Sequence, residues 1–242
     1  MPNLSSPWTI ERPLAHSGPD AGERVTLGER VHAELRERLM SGELAPGQKM
    51  SLRTAAETLG VSMMPVREAV ARLVADRSLE VLPNRAVRVP LMTVSRFREL
   101  TTVRLAIEGL AVEQAARSRT SADLAAMRSC EKEFLAEARA SDPRTEHAVR
   151  ANKALHFAVY RATALPTLVG IIEGLWLKIG PVLNLDLKLS PQRLRTGGAV
   201  DCHRRLIEAV EAGEPVLARA ALVDDIVGAA RFIESTGRLV RS

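Results

Sequence analysis

Apolar residues recur at helical spacing from Leu27 to Met40, with Val31, Leu35 and Leu39 on one face, and Gly42 ends the run. Glu43 to Gly47, around Pro46, reads as a turn. Ser51 is placed to cap a short helix that runs to Leu59 and closes on Gly60. After Val61 and Ser62 a second helix is predicted over 63–76, its Val66, Val70 and Leu73 facing Ala55, Ala56 and Leu59. Small facing residues let two helices cross closely, and glycine permits the sharp turn between them. Ser62 is the expected cap of this second helix, and Pro65 falls in its first turn, where a missing N–H costs little. The stretch from Leu79 to Pro90 is short, β-branched and broken by Pro83 and Asn84, which predicts a small hairpin. Helix, helix, tight turn, helix, hairpin is the order of a winged helix-turn-helix.

Beyond Pro90 nearly everything reads as long amphipathic helices, over 93–118, 121–140, 142–163, 166–180, 191–212 and 214–236. Proline and glycine cluster between them, as in an antiparallel bundle. No internal repeat is visible. The expected fold class is therefore mainly α: an N-terminal winged helix-turn-helix over 26–90, then an all-α antiparallel helical bundle over 91–242. Residues 1–25 are polar, rich in proline and glycine, and without an apolar signal core, so they are expected to form a disordered leader.

Composition sharpens this only in part. A chain of 242 residues that is 46% hydrophobic can bury two modest cores, and with aromatics at 3% those cores must be aliphatic. The net charge of +5 and a pI near 9.7 suggest a polyanionic partner. Yet the first 90 residues carry 12 Lys+Arg against 11 Asp+Glu, and the remainder 22 against 18, so the excess does not sit where DNA would be met. Local placement must carry that argument. Cys130 and Cys202 have neither metal-type spacing nor a disulfide framework, which fits the reducing cytoplasm. No apolar run approaches the roughly 18 residues of a membrane span.

Local placement points to a duplex. Arg67 lies one turn into the second helix on its outward face, where a planar guanidinium can reach a guanine edge or a phosphate. Arg53 opens the preceding helix, placed for a backbone contact. Asn84, Arg85 and Arg88 make a sensible wing for the adjacent groove. The pattern Gly42-x-Leu44-x-Pro46-Gly47, then Leu59-Gly-Val-Ser62, then Pro65-Val-Arg-Glu-Ala69, resembles the GntR family of bacterial regulators over about 65 residues. The resemblance implies a homodimer on a palindromic operator in double-stranded DNA, with the recognition helix in the major groove and the wing in the minor groove. Carried over, the family's DNA-contacting positions fall on Arg53, Met63, Met64, Arg67 and the wing around Asn84. Met63 stands where the family often has arginine, and Ala86 where the wing tip usually has glycine.

In the bundle, Asn152 and His156 are four apart and share a helix face. His203 and Asp225 come from the last two predicted helices, and their midpoint, residue 214, falls in the turn Gly213-Glu214-Pro215. An antiparallel hairpin pivoting there sets them level. Four nitrogen and oxygen ligands can thus converge inside the bundle with open positions left for water or an effector. This set resembles the FCD effector domain of the FadR-like branch of the same family, many members of which hold a divalent metal with a carboxylate and three histidines. Here Asn152 replaces the aspartate and Asp225 a histidine, so zinc, nickel or manganese is expected with altered preference. Arg104 and Glu108, one turn apart, read as a helix-surface pair; the family resemblance instead makes Arg104 a cavity arginine able to clamp an effector carboxylate.

The combined expectation is a cytoplasmic, sequence-specific regulator, a repressor first, whose operator affinity follows a small organic acid bound in the bundle. The alternatives are a metal-responsive regulator, in which the ion is itself the signal, and a metal-dependent hydrolase. Against the hydrolase, no spare general base lies at recognisable spacing.

Overall fold

A computed structural model describes residues 25–83, 86–189, 194 and 198–241. The leader up to residue 24 and the wing residues Asn84 and Arg85 lie outside the described residues. The chain divides into two compact units, Met1–Leu91 and Met92–Ser242.

In the first unit, α1 (Leu27–Met40) starts at a capping box: the Thr26 hydroxyl accepts the Glu29 N–H, and the Glu29 carboxylate accepts the Thr26 N–H at 2.7 Å. Helix α2 (Leu52–Leu59) is capped by Ser51, which accepts the Thr54 N–H at 3.4 Å, and closes on Gly60 in the left-handed region at φ 65°. Helix α3 (Met63–Ala75) differs from expectation at its start. Ser62 occupies the N-cap position, but its side chain makes no cap hydrogen bond. A cap oxygen takes the N–H of the second or third helical residue, and the third is Pro65, which has none. The faces read from the sequence are buried, with Val31, Leu35 and Leu39 of α1, Ala55, Ala56 and Leu59 of α2, and Val66, Val70 and Leu73 of α3 in the core. Helices α1 and α2 both pack on α3.

Three short strands complete the unit: β1 (Lys49–Met50), β2 (Glu80–Val81) and β3 (Val87–Arg88), in the order β1-β3-β2. Both pairings are antiparallel, with Lys49 and Glu80 each opposite Arg88, and Met50 and Val81 each opposite Val87. The hairpin was expected and β1 was not. Two residues carry no alternation to read, and β1 is a strand only because β3 is beside it.

The second unit contains α4 (Val94–Ser118), α5 (Ser121–Arg139), α6 (Thr145–Arg161), α7 (Pro166–Leu189), α8 (Ala199–Ala212) and α9 (Pro215–Ser235). Thr93 and Thr120 cap α4 and α5, while Gly213 at φ 74° closes α8 and Pro215 opens α9. Helix α4 packs against α6, α7, α8 and α9, and α5 against α6 and α8.

Three boundaries moved. Helix α8, expected from 191, begins at Ala199 after a turn at Gly198, with residues 191–193 and 195–197 outside the described residues. Helix α6 begins at Thr145 rather than at 142: Pro143 biases the residue before it away from helix, and the Arg144 N–H is taken by the Glu137 carboxylate at 2.9 Å. Helix α7 does not stop at Gly180 but continues to Leu189 with Pro181 inside it. Ile179 and Val182, on either side of that proline, are buried in one cluster with Phe97, Leu100 and Ile233. Burying both flanks offsets the lost backbone bond. The longer helix also corrects the reading of apolar runs. Its segment Pro166–Leu183, at mean hydropathy 1.3, is long and apolar enough to cross a membrane by length and composition. Ile172, Leu177 and Ile179 within it are core residues of the bundle.

Candidate nucleic-acid interface and effector site

Packing against α1 and α2 turns one side of α3 inward through Pro65, Val66, Ala69, Val70 and Leu73. The opposite side carries Met64, 62% exposed, and Arg67, also exposed, while Met63 is half-buried. Because Ser62 makes no cap bond, the first N–H groups of α3 are left to solvent or to an outside acceptor. Arg53, at the start of α2, stands out with 84% of its side chain exposed and pairs with Glu57 one turn on at 3.0 Å. Arg88 is less free. It reaches across the sheet to Glu80 at 2.6 Å, the cross-strand partner that register gives it.

In the bundle the structure brings together His156 from α6 with His203 from α8 and Asp225 from α9. One ligand atom from each lies within 4.8 Å of the others. His156 Nε2 is 3.4 Å from Asp225 Oδ2, and His203 Nε2 is 3.9 Å from Asp225 Oδ1. Both histidines are buried. The turn at Gly213 sets α8 and α9 side by side, which makes neighbours of His203 and Asp225. Of the two adjacent aspartates, Asp224 is engaged by Arg205 at 2.9 Å, which leaves Asp225 to the histidines. A cavity of about 90 Å³ opens beside them, lined among others by Arg104, Asn152, His156, Trp176, Cys202 and Asp225. That is several times the roughly 10–15 Å³ one water needs.

Arg104 and Glu108 are not a surface pair. They are 3% and 0% exposed, with Arg104 Nε and Nη2 donating to the two Glu108 oxygens at 2.6 and 3.1 Å. The guanidinium also lies 5.3 Å from the Trp176 ring centre. Two of its five N–H groups are thereby used, and the side chain still borders the cavity.

The electrostatics follow from burial. His203, packed against Phe134 with ring centres 4.8 Å apart, has no hydrogen-bond partner on either ring nitrogen among the described residues. Burial pushes its pKa down to about 4, with Asp225 pulling the other way and His156 adding to the fall. At neutral pH it is an uncharged imidazole, the form that ligates metals. Burial works to raise the Asp225 pKa, but a hydrogen bond from His156, the neighbouring His203 ring and the Arg104 guanidinium hold it below the usual carboxylate range. Tyr160 is kept a neutral phenol by burial first and by Glu108 second.

The residues present fit a divalent cation. A buried imidazole with two orphaned nitrogens, a second imidazole and an ionised carboxylate form a borderline-hard donor set. Donors bound about 2.1 Å from one ion sit at most ~4.2 Å apart, so small contractions suffice.

Sequence reasoning missed Tyr160 and Trp176 and misjudged Glu108. The signal was present for Tyr160, the chain's only tyrosine: Asn152, His156 and Tyr160 follow each other at four-residue steps on one face of α6.

Comparisons with known proteins agree with both halves. Residues 27–89 match the model of bacterial regulatory proteins of the gntR family, and residues 99–227 match the FCD domain. The HTH-type transcriptional regulator McbR of Escherichia coli K12 is 30% identical over 203 residues, spanning 84% of this chain and 90% of McbR. The "Probable D-xylose utilization operon transcriptional repressor" of Paenarthrobacter nicotinovorans is 27% identical over 205 residues, 84% of this chain and 87% of the relative. Among solved structures, E. coli McbR/YncC superposes with a TM-score of 0.82 at 28% identity, covering 88% of this chain and 99% of that one. A GntR regulator from Rhodococcus sp. RHA1, at TM-score 0.69 and 21% identity over 86% and 97% of the two chains, shares the fold. The chain belongs to the GntR family of bacterial transcription regulators and carries an FCD domain, a family of regulators and not of enzymes.

Proposed function

We propose that this protein is a cytoplasmic, homodimeric repressor that releases its operator in response to a small carboxylate bound in the bundle cavity. The observation that carries the reading is the buried trio of His156, His203 and Asp225 beside a cavity bordered by a guanidinium. His156, His203 and Asp225 would hold a zinc, nickel or manganese ion, with Asn152 on the same wall, and the bound ion would supply a positive point for an effector carboxylate. Arg104 would complete that recognition with the N–H groups Glu108 leaves unused. The repressor sense follows the Paenarthrobacter relative, which is described as a probable transcriptional repressor. Membership of a regulator family sets the hydrolase alternative aside.

On the DNA side, Arg67 and Met64 face outward from the first turns of α3, and the uncapped N–H groups beside them suit phosphate. Arg53 supplies a backbone contact and Met63 a partly buried flank. Arg88 must exchange its bond to Glu80 for one to DNA, and Asn84 and Arg85 complete the wing. Effector and operator are then coupled by linkage: a ligand that prefers the low-affinity state lowers operator affinity by its own preference.

The test is fluorescence anisotropy on DNA from upstream of the gene. Specific, salt-sensitive binding is expected, weakened roughly tenfold to hundredfold by Arg67→Ala. With nickel present, at least one of a panel of mono- and dicarboxylates should lower affinity. Unchanged binding by Arg67→Ala rejects the DNA assignment. A response to nickel alone, with no carboxylate effect, makes the ion the signal, a reading the small volume of the cavity favours.

A further inference from the structure

Two helices that carry opposite charges to the cavity also meet at their far ends. Arg104 stands ten residues after the start of α4, and Asp225 ten residues before the end of α9. Each is about 15 Å from that helix end, at 1.5 Å per residue. Beyond α9, Gly237 turns the chain in the left-handed region at φ 67°. Leu239 is then buried in one cluster with Met92, Phe97 and Ile233, and Val240 pairs in parallel with Thr93. The Val240 N–H donates to the Met92 carbonyl at 2.9 Å, and the Val240 carbonyl accepts the Val94 N–H at 3.1 Å. Val94 is the first residue of α4, where an N–H finds no acceptor inside its own helix. Arg98 of α4 and Glu234 of α9 pair through Nε at 3.0 Å and Nη2 at 2.8 Å.

Met92 is also where the second unit begins. In the first unit Val89 is held on both sides: its N–H donates to the Gln48 carbonyl at 3.0 Å, and its carbonyl accepts the Gly47 N–H at 2.9 Å. Only Pro90 and Leu91 lie between these two anchored residues, and proline fixes its own φ. The junction has little slack to absorb a movement of Met92.

We propose that residues 237–240 are a strap that ties the root of the DNA-reading unit to the α4–α9 pair, so that a ligand shifting Arg104 against Asp225 is felt at Met92. The trigger rests on the cavity reading proposed above, whereas the pinning of the junction does not. With the strap released, residues 90–94 become a flexible connection, and the two heads of a dimer lose pre-organisation for their half-sites.

The test compares the full wild-type chain with Val240→Pro, which removes the donated N–H, and Leu239→Ala, which keeps the backbone bonds and removes the buried anchor. Amide hydrogen exchange should find Val94 protected in the wild type and exchanging on the order of tenfold faster in each variant. Calorimetric titration with nickel should give unchanged affinity, because neither residue borders the cavity. Fluorescence anisotropy on the upstream DNA should show operator binding roughly tenfold weaker in each variant, and a smaller shift on adding nickel than in the wild type. Variants that exchange Val94 faster yet hold the operator as tightly as the wild type overturn the strap, as does an unprotected Val94 in the wild type. Loss of nickel uptake in both variants makes residues 237–240 an ordinary part of the bundle core and likewise overturns it. A wild type whose operator affinity ignores nickel sinks the ion as trigger, and the operator affinity of the variants then decides the strap alone.

Discussion

The two units put polar side chains to work under opposite conditions. In the head, Arg53, Met64 and Arg67 stand in solvent on α2 and α3, and the Arg53–Glu57 pair is largely exposed. In the bundle, Arg104, Glu108, Tyr160, His156 and His203 are buried, and each polar group is either bonded to the next or, like His203, left bare. Exposed charge costs little and stabilises little. Buried charge must be partnered, because an unpaired one is expensive. A surface reading head can therefore change its contacts with little effect on folding, whereas the buried site and the stability of the bundle are the same set of bonds.

The largest expected effect tests that contrast directly. Glu108→Ala leaves the Arg104 guanidinium buried without its partner, and urea denaturation should show a loss on the order of 3–5 kcal/mol in the bundle. Glu57→Ala, which breaks the exposed pair in the head, should cost less than about 1 kcal/mol. Equal losses would erase the distinction between the units.

A second, smaller effect is a pH dependence of the bundle that His203 contributes. The folded His203 has its pKa depressed to about 4, while the unfolded chain binds the same proton near 6.5. Unfolded protein thus takes up a proton that folded protein refuses. The stability is fully present above the unfolded pKa and is lost as pH falls toward 4. Between pH 7.5 and pH 5 the loss should be about 2 kcal/mol with divalent ions chelated. His203→Leu should remove most of that slope, and a slope unchanged by the substitution assigns it to other groups, among them His32, whose pKa burial also lowers.

The smallest effect lies within the head. Ser51→Ala removes a side-chain cap and should cost about 1 kcal/mol. Ser62→Ala removes a side chain that makes no cap bond, and should shift the thermal midpoint measurably less. A larger loss at Ser62 would mean that its hydroxyl finds a partner after all.

Legibility differed between the units for physical reasons. Helices α1 and α2 begin and end where spacing, Ser51 and Gly60 place them, because caps and apolar faces are local. The hairpin was visible in its β-branched run, but β1 was not, since two residues become a strand only through a partner far along the chain. Proline misled once and was overlooked once: Pro181 was overruled by the buried residues beside it, and Pro65 cancelled the cap expected from Ser62. That His203 and Asp225 are neighbours was legible from the pivot in the Gly213–Pro215 turn, whereas the meeting of His156 with them followed only from the family resemblance. Glu108 was read as a surface residue because periodicity states which face a residue shares, not which neighbour covers it.

What the sequence by itself determined is whatever depends on near neighbours: the helical periods, the turn at Gly60, the outward setting of Arg67, the shared face of Asn152 and His156. What only the tertiary structure decided is which polar groups lose water together. Asp225 rather than Asp224 meets the histidines, Arg104 is spent on Glu108, and the Tyr160 hydroxyl donates to Glu108, 52 positions away on another helix. Desolvation is a property of the packed interior, and no spacing along one helix encodes it.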